Sequence, residues 1–499
     1  MSMTWTFNGI NRKLASKWQK LSPDLLPFAD AASTDLPLSR LLRLALFQVS
    51  VGMASTLLIG TLNRVMIVEL GVAAWLVSLM VALPLMAAPF RAFIGYRSDT
   101  HKSVLGWRRV PYLWLGTMLQ FGGLAIMPFA LILLSGFGQS PLWIGKAGAA
   151  LAFLLVGAGL QITQTAGLAL ATDLADDKTR PRVVALMYVM LLVGMVVSGL
   201  LFGALLSDFS NTRLVQVVQG AAVVTVFLNL YASWKQEPRK MGGTGPTADT
   251  PSFRTLWRMF TADPKAKRFL VAVGLGSAAF SMQDIILEPY GGEILNLSVG
   301  ATTLLTALMA AGSLVAFGIA ARALTKGTNP NRLAGYGALI GLPAFSMVIF
   351  AEPINSPLMF RVGTFLIGMG AGLFSVATLT AAMTMDANLK IGDKTKNFNG
   401  MALGAWGAVQ ASCAGIAVAL GGTIRDVVSS VSLKGGLGEV LAIPATGYSF
   451  VYHLEILLLI ATIIVIGPLA RFDRVSSLEV DVAKSSSNKK KFGLSDLPT

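Results

Sequence analysis

Two carboxylates four residues apart, Asp284 and Glu288, stand in the stretch Gln283-Asp284-Ile285-Ile286-Leu287-Glu288-Pro289-Tyr290-Gly291-Gly292. The apolar run that holds them begins near Phe269 and is long enough to cross a bilayer. A charge near the middle of a membrane costs about 2.5–3.5 kcal/mol on insertion scales, so such a group faces a partner, a cavity or an interface. Spacing of four predicts one shared helix face, with Gln283 and Tyr290 as polar neighbours. The first apolar run ends in Leu62-Asn63-Arg64-Val65-Met66-Ile67-Val68-Glu69-Leu70, which offers Asn63 and Arg64. Arg64 lies about 31 Å along a helix from Arg43, and Glu288 about 30 Å from Arg268. Equal depth predicts a pair between Arg64 and either Glu288 or Asp284. The alternative is independent snorkelling of each group to the interface.

Other polar groups are sparse. The fourth apolar run carries Gln161, Thr163, Gln164 and Thr165 but no internal charge, with Lys146 only at its edge. These amides serve as interhelical glue or as ligand contacts. The missing cation weighs against a proton-coupled drug exporter. The last run offers Tyr452, His453 and Glu455. A neutral imidazole can ligate the magnesium of a chlorophyll, and a hydrogen-bonded interior or interfacial histidine is the plainer reading. One cysteine, Cys413, and two histidines, His101 and His453, leave no basis for a disulfide or a metal centre. No nucleotide loop, paired catalytic carboxylates or nucleophile motif is present, so the chain is not expected to be an enzyme.

The elements that position these groups follow from composition. Of 499 residues, 54% are apolar and 13% charged, about half the charge of a soluble domain. Each span needs about 20 apolar residues. Twelve are expected, near 41–67, 73–94, 110–135, 146–171, 183–206, 214–234, 268–290, 299–324, 333–351, 358–385, 400–422 and 448–470. The net charge of +15 is sorted by side. With the N-terminus placed in the cytoplasm, only Arg64, Lys146, Arg213, Arg361, Arg425 and Lys434 fall outside it. The positive-inside rule then puts both termini in the cytoplasm, and the basic face meets anionic lipid rather than nucleic acid. No cleavable signal peptide is visible.

The expected organisation is a cytoplasmic N-terminal segment (1–40), a six-helix bundle (41–234), a cytoplasmic linker (235–267), a second six-helix bundle (268–474) and a disordered tail (475–499). Breaker residues such as Pro238 and Gly242 mark the linker, in which Phe253, Leu256, Trp257 and Phe260 predict a surface helix. Residues 10–21 repeat that theme. Six spans on either side of a basic loop predict an all-α membrane protein of the major facilitator arrangement. Short glycine runs in the spans read as close helix contacts. After the second span, Gly95, Asp99, Gly106, Arg108 and Arg109 resemble the major facilitator latch, a charge-paired link between the halves, with its basic element displaced downstream. The loop from Arg322 to Arg332 lacks the matching aspartate, so the latch is at best one-sided, and a plain solvated cytoplasmic loop is the alternative.

Five strings taken together carry a closer resemblance: Phe28-Ala29-Asp30-Ala31, Leu62 to Leu70, Ser98-Asp99-Thr100-His101, Gly106-Trp107-Arg108-Arg109-Val110-Pro111-Tyr112 and Gln283 to Gly292. In that order they resemble the bacteriochlorophyll-delivery, PucC-type branch of the major facilitator superfamily, over roughly residues 28–474. Within it the chain looks most similar to LhaA-like assembly factors of the light-harvesting 1 antenna, with peripheral-antenna PucC proteins as the near alternative. The resemblance implies a multi-pass protein of the bacterial photosynthetic inner membrane. It implies bacteriochlorophyll as the bound pigment and antenna polypeptides as partners, with pigment-synthesis and membrane-insertion machinery beside them. Candidate pigment or partner contacts are Asp284, Glu288, Gln283, Tyr290, Asn63, Arg64, Gln161, Gln164 and His453. Two other readings stay open: a secondary transporter of a small solute by alternating access, and a pigment-free scaffold for antenna polypeptides.

Overall fold

In hydrocarbon every backbone N–H and C=O must be bonded within its own segment, so a chain this apolar crosses as helices. The computed structural model describes residues 36–86, 107–136, 141–176, 179–237, 263–384, 388–391, 394–397 and 399–489. Among them, eleven helices are long and apolar enough to cross a membrane, and a twelfth, Ala74–Met86, is a shorter apolar helix. This is a multi-pass membrane protein. Gly95 and Asp99 of the expected latch, and the surface helices expected at 10–21 and 253–260, lie outside the described residues.

In the first half, α1 (Leu38–Glu69) is followed by α2 (Ala74–Met86), α3 (Val110–Leu134), α4 (Leu142–Leu174), α5 (Arg180–Leu205) and α6 (Asn211–Ser233). The second half runs α7 (Pro264–Ser281), a 3-10 turn over Met282–Ile285, α8 (Leu287–Glu293), α9 (Val299–Thr325), α10 (Pro330–Ala351) and α11 (Pro357–Thr384). It ends with β1 (Asn388–Ile391), β2 (Lys394–Asn397), α12 (Asn399–Leu433) and α13 (Ala445–Lys489). Proline in the first turn, where no intrahelical N–H is needed, opens α3, α5, α7 and α10. Side chains cap three helices: Ser210 accepts from Arg213 N–H, Asp263 from Lys265 N–H, and Asn329 from the N–H groups of Asn331 and Arg332.

The chain divides into two compact units, and the division differs from the expected halves in one place. Residues Leu287–Ala310 group with the first unit, while Asp249–Ile286 and everything after Ala310 form the second. Close packing inside the first unit explains it. A Cβ on Gly300 would sit 2.5 Å from the Gly203 carbonyl oxygen, and one on Gly199 would sit 2.7 Å from the Ala307 side chain. Only glycine admits that approach.

Each unit also contains one tightly apposed helix pair. In the first, α3 packs on α4, where a Cβ on Gly159 would lie 2.6 Å from the Gly116 carbonyl oxygen. In the second, α10 packs on α11, where a Cβ on Gly337 would lie 2.8 Å from the Gly370 carbonyl oxygen. Small residues at a crossing let backbones meet and gain van der Waals contact, which drives association in lipid.

Two elements depart from expectation. Strands β1 and β2 pair antiparallel, with Ile391 opposite Lys394. The last helix does not stop at residue 474 but continues to Lys489, where a disordered tail was expected. After Pro468 no proline or glycine occurs before Gly493, so nothing in the backbone chemistry ends the helix. Residues 490–499 lie outside the described ones.

Candidate functional site

The segment singled out by the sequence is not one continuous helix. After Ser281 the backbone tightens into the 3-10 turn Met282–Ile285 and resumes as α8 at Leu287. Pro289 explains the break, because its ring displaces the carbonyl four residues earlier, that of Ile285, and offers it no N–H. The Gln283 amide also reaches back to the Phe280 carbonyl at 3.3 Å. Helical phase is lost between the two acids, so Asp284 and Glu288 do not share a face by i, i+4 spacing. Asp284 and Gln283 belong to the second unit, and Glu288 and Tyr290 to the first.

In the second unit, Gln283 Nε2 donates to Asp284 Oδ1 at 2.6 Å. Glu455 of α13 lies close to the Gln283 backbone and within electrostatic reach of Asp284. It is completely buried, and among the described residues no side chain bonds its carboxylate oxygens. Aromatic residues precede both acids in sequence. Phe280, three residues before Gln283, stands 6.0 Å from Phe374 and 6.2 Å from Phe345. Phe345 in turn lies 6.2 Å from Tyr452, three residues before Glu455. Tyr452 and Glu455 are both buried on one face of α13.

His453 lies on the opposite, exposed face, among Phe450, Leu457 and Ile460. Its Nδ1 donates to the Ser449 carbonyl at 2.7 Å. The sequence drew attention to His453 and passed over Glu455 as a partner for Asp284. The signal was the three-residue spacing from Tyr452, which puts an aromatic and an acid on one helical face.

In the first unit, α1 passes into wider π registers over Thr56–Leu62 and Val65–Glu69, distortions that often mark functional segments. Arg64 lies between them, 4% exposed. Its ion-pair partner is Glu69, at the end of the second π stretch, where Glu288 or Asp284 was expected. The register shift supplies the reason, since it brings residues five apart into one turn. Arg64 also donates to the Leu297 carbonyl at 3.2 Å, and a Cβ on Gly292 would meet its Nε at 2.8 Å. Glu288 Oε1 accepts the Thr306 hydroxyl at 2.8 Å. Thr61 and Thr303 share a hydrogen bond at 3.2 Å. Asn63 and Tyr290 are fully buried nearby in sequence.

The remaining candidates divide. Gln161 and Gln164 are half-buried, and Gln161 keeps a buried Oε1 without a partner. The glue in that helix is Thr163, which accepts from Gln120 Nε2 at 2.7 Å. A second network joins three helices, with Ser50 donating to Asn229 at 2.7 Å and Asn229 to Thr117 at 2.9 Å. Of the latch residues, Arg109 pairs with Asp173 at 3.0 Å and Arg108 lies 3.8 Å from the same carboxylate, within the first unit. The Glu237 carboxylate accepts the backbone N–H groups of Arg108, Arg109 and Val110 at 2.7–3.0 Å, which caps α3 with a negative charge at its positive end. Sequence reasoning missed Asp173 and Glu237, because both act across more than 60 residues.

Comparison with known proteins places this geometry. A bacterial homologue of the human lysosomal transporter Spinster, in an inward-facing and unoccupied conformation, superposes with a TM-score of 0.63 at 17% identity, over 87% of this chain and 96% of that one. The fold is that of major facilitator transporters. Protein PucC of Rhodovulum sulfidophilum is 54% identical over 427 residues, 84% of this chain and 92% of the relative. An uncharacterised protein of the puhA-bchM intergenic region in Rhodobacter capsulatus is 50% identical over 476 residues, 95% of this chain and 97% of the relative. The model of the PUCC protein family matches residues 61–473, and the chain belongs to that family.

Proposed function

We propose that this protein is a non-enzymatic assembly factor for light-harvesting complexes. In this reading it binds bacteriochlorophyll and delivers it to antenna polypeptides, most directly those of light-harvesting 1. It works in the photosynthetic inner membrane with both termini in the cytoplasm. The observation that carries the reading is the near full-length similarity to PucC proteins of purple bacteria. The interior is compatible with it: large apolar side chains dominate, and the few polar groups could orient a macrocycle. A second reading, transport of a small solute, draws support from the transporter fold and from the carboxylates at the interrupted seventh span.

Deleting the gene tests the reading. Assembled antenna absorbance should fall while growth without light is nearly unchanged, and protein purified in mild detergent should carry near-infrared pigment bands with co-purifying antenna chains. Antenna chains without pigment would favour the scaffold. Normal antenna levels in the deletion strain, with no related protein substituting, would return the solute transporter to first place.

A further inference from the structure

The exposed face of α13 carries one group that its apolar surroundings do not account for. His453 lies eight residues past Ala445 in the span Ala445–Ala470, about 12 Å along the helix axis, and so within a hydrocarbon layer about 30 Å thick. Phe450, Leu457, Ile460 and Ile464 are exposed with it, at alternating spacings of three and four that place all five on one stripe. Four of the five suit lipid tails. An imidazole does not, because its polar nitrogens lose water there and gain nothing from hydrocarbon. The ring is also fixed. A carbonyl oxygen only accepts, so the 2.7 Å contact with Ser449 makes Nδ1 the donor, and in a neutral imidazole Nε2 then holds a lone pair. That lone pair lies across the ring from the bonded backbone carbonyl. Histidines that ligate metals are held in this manner, with the second nitrogen bonded to a carbonyl that sets tautomer and orientation.

We infer that His453 is the axial ligand of a magnesium tetrapyrrole bound on the exposed face of α13, an inference that rests on the pigment-delivery reading above and gives it a place. Among the described residues no group of three or more metal-ligating side chains occurs, so a bare metal ion has too few ligands here. A tetrapyrrole brings its own ring nitrogens, and its metal takes a single imidazole at an axial position. The apolar stripe on either side of His453 supplies contact for the face of the macrocycle. A neighbouring membrane helix is the competing occupant. Helices associate in lipid through small residues that let their backbones approach, and Phe450, Leu457, Ile460 and Ile464 are all bulky. They hold a second helix off, yet offer a flat macrocycle a broad apolar surface. An outer face also suits delivery, since the pigment can pass sideways within the bilayer without threading a close-packed interior.

The test titrates bacteriochlorophyll a, and its magnesium-free analogue bacteriopheophytin a, into full-length protein purified in mild detergent and freed of any pigment carried through purification. Wild type should bind the magnesium form more tightly and show axial nitrogen ligation in its resonance Raman spectrum. His453→Leu, apolar like its neighbours on the stripe, should weaken bacteriochlorophyll binding by about tenfold or more. It should leave bacteriopheophytin binding and the thermal midpoint unchanged. In His453→Gly, added imidazole should restore both the ligation signature and the affinity, and this variant decides alone if His453→Leu does not fold. Equal bacteriochlorophyll binding by wild type and His453→Leu would overturn the inference and leave pigment delivery standing. Loss of co-purifying antenna chains from His453→Leu, with pigment binding intact, would also overturn it and make the stripe a helix-docking face. A wild type that binds neither pigment would remove the delivery reading and this inference together.

Discussion

The buried charges of the two units are handled in opposite ways. In the first, Arg64 is enclosed by its own helix: Glu69 neutralises it and the Leu297 carbonyl takes a further donor. Glu288 receives the Thr306 hydroxyl. In the second, Glu455 lies equally deep but faces another acid, with no side chain bonding its carboxylate among the described residues. Distortion of the backbone accompanies both, a wider π register around Arg64 and a tighter 3-10 turn at Asp284. A buried charge with an opposite partner is far less costly than one beside a like charge. The contrast is between a buried cation paired on its own helix and a buried acid beside another acid.

The largest effect should come from stripping Arg64 of its anion. Glu69→Gln leaves a guanidinium that is 4% exposed without a counter-charge, and removing one partner of a buried pair costs about 3 kcal/mol or more. Glu69 itself is 37% exposed, so solvent at its side lowers the cost toward the smaller end. Replacing both residues by methionine should recover most of the loss, since no charge is then left buried. Thermal unfolding in detergent measures both variants. An unchanged midpoint for Glu69→Gln would mean that Arg64 is not held by this pair, and the contrast between the units would fail.

A second test asks whether the units are alike where they contain no charge. Gly159→Ala places a methyl 2.6 Å from the Gly116 carbonyl oxygen and the Gln120 nitrogen, both backbone. Gly337→Ala places one 2.7 Å from the Phe374 nitrogen and 2.8 Å from the Gly370 carbonyl oxygen. Neither neighbour is a flexible side-chain tip, so the helices must separate, at about 1–3 kcal/mol each. Losses of similar size, the first slightly larger, are expected in the same unfolding assay. Tolerance of one and collapse of the other would show that the two helix pairs are not equivalent.

How much of this could be read from the chain depends on the range of the forces involved. Span number followed from hydropathy, because the bilayer imposes a length on each apolar run. Pro289 announced the break at Asp284, a local effect that the four-residue spacing obscured. Glu455 could be assigned only by the phase of α13, since Tyr452, His453 and Glu455 are adjacent in sequence yet divide between a buried and an exposed face. The cap that Glu237 places on α3, and the grouping of Leu287–Ala310 with the first unit, depend on tertiary approach between distant segments. No periodicity encodes them.

The smallest effect, and the one of opposite sign, belongs to Glu455. Glu455→Gln keeps the size of the side chain and removes an acid that no side chain bonds among the described residues. It also relieves Asp284 of a like-charged neighbour. Replacing a buried charge that faces a like charge with a neutral group is commonly neutral or stabilising, so the variant should unfold within about 1 kcal/mol of wild type or slightly above it. Glu69→Gln, an identical chemical change at a paired acid, should move the midpoint down. The two variants, measured side by side, isolate environment from chemistry. If Glu455→Gln destabilised as much as Glu69→Gln, Glu455 would be a structural group like Arg64, and the contrast between the two units would disappear.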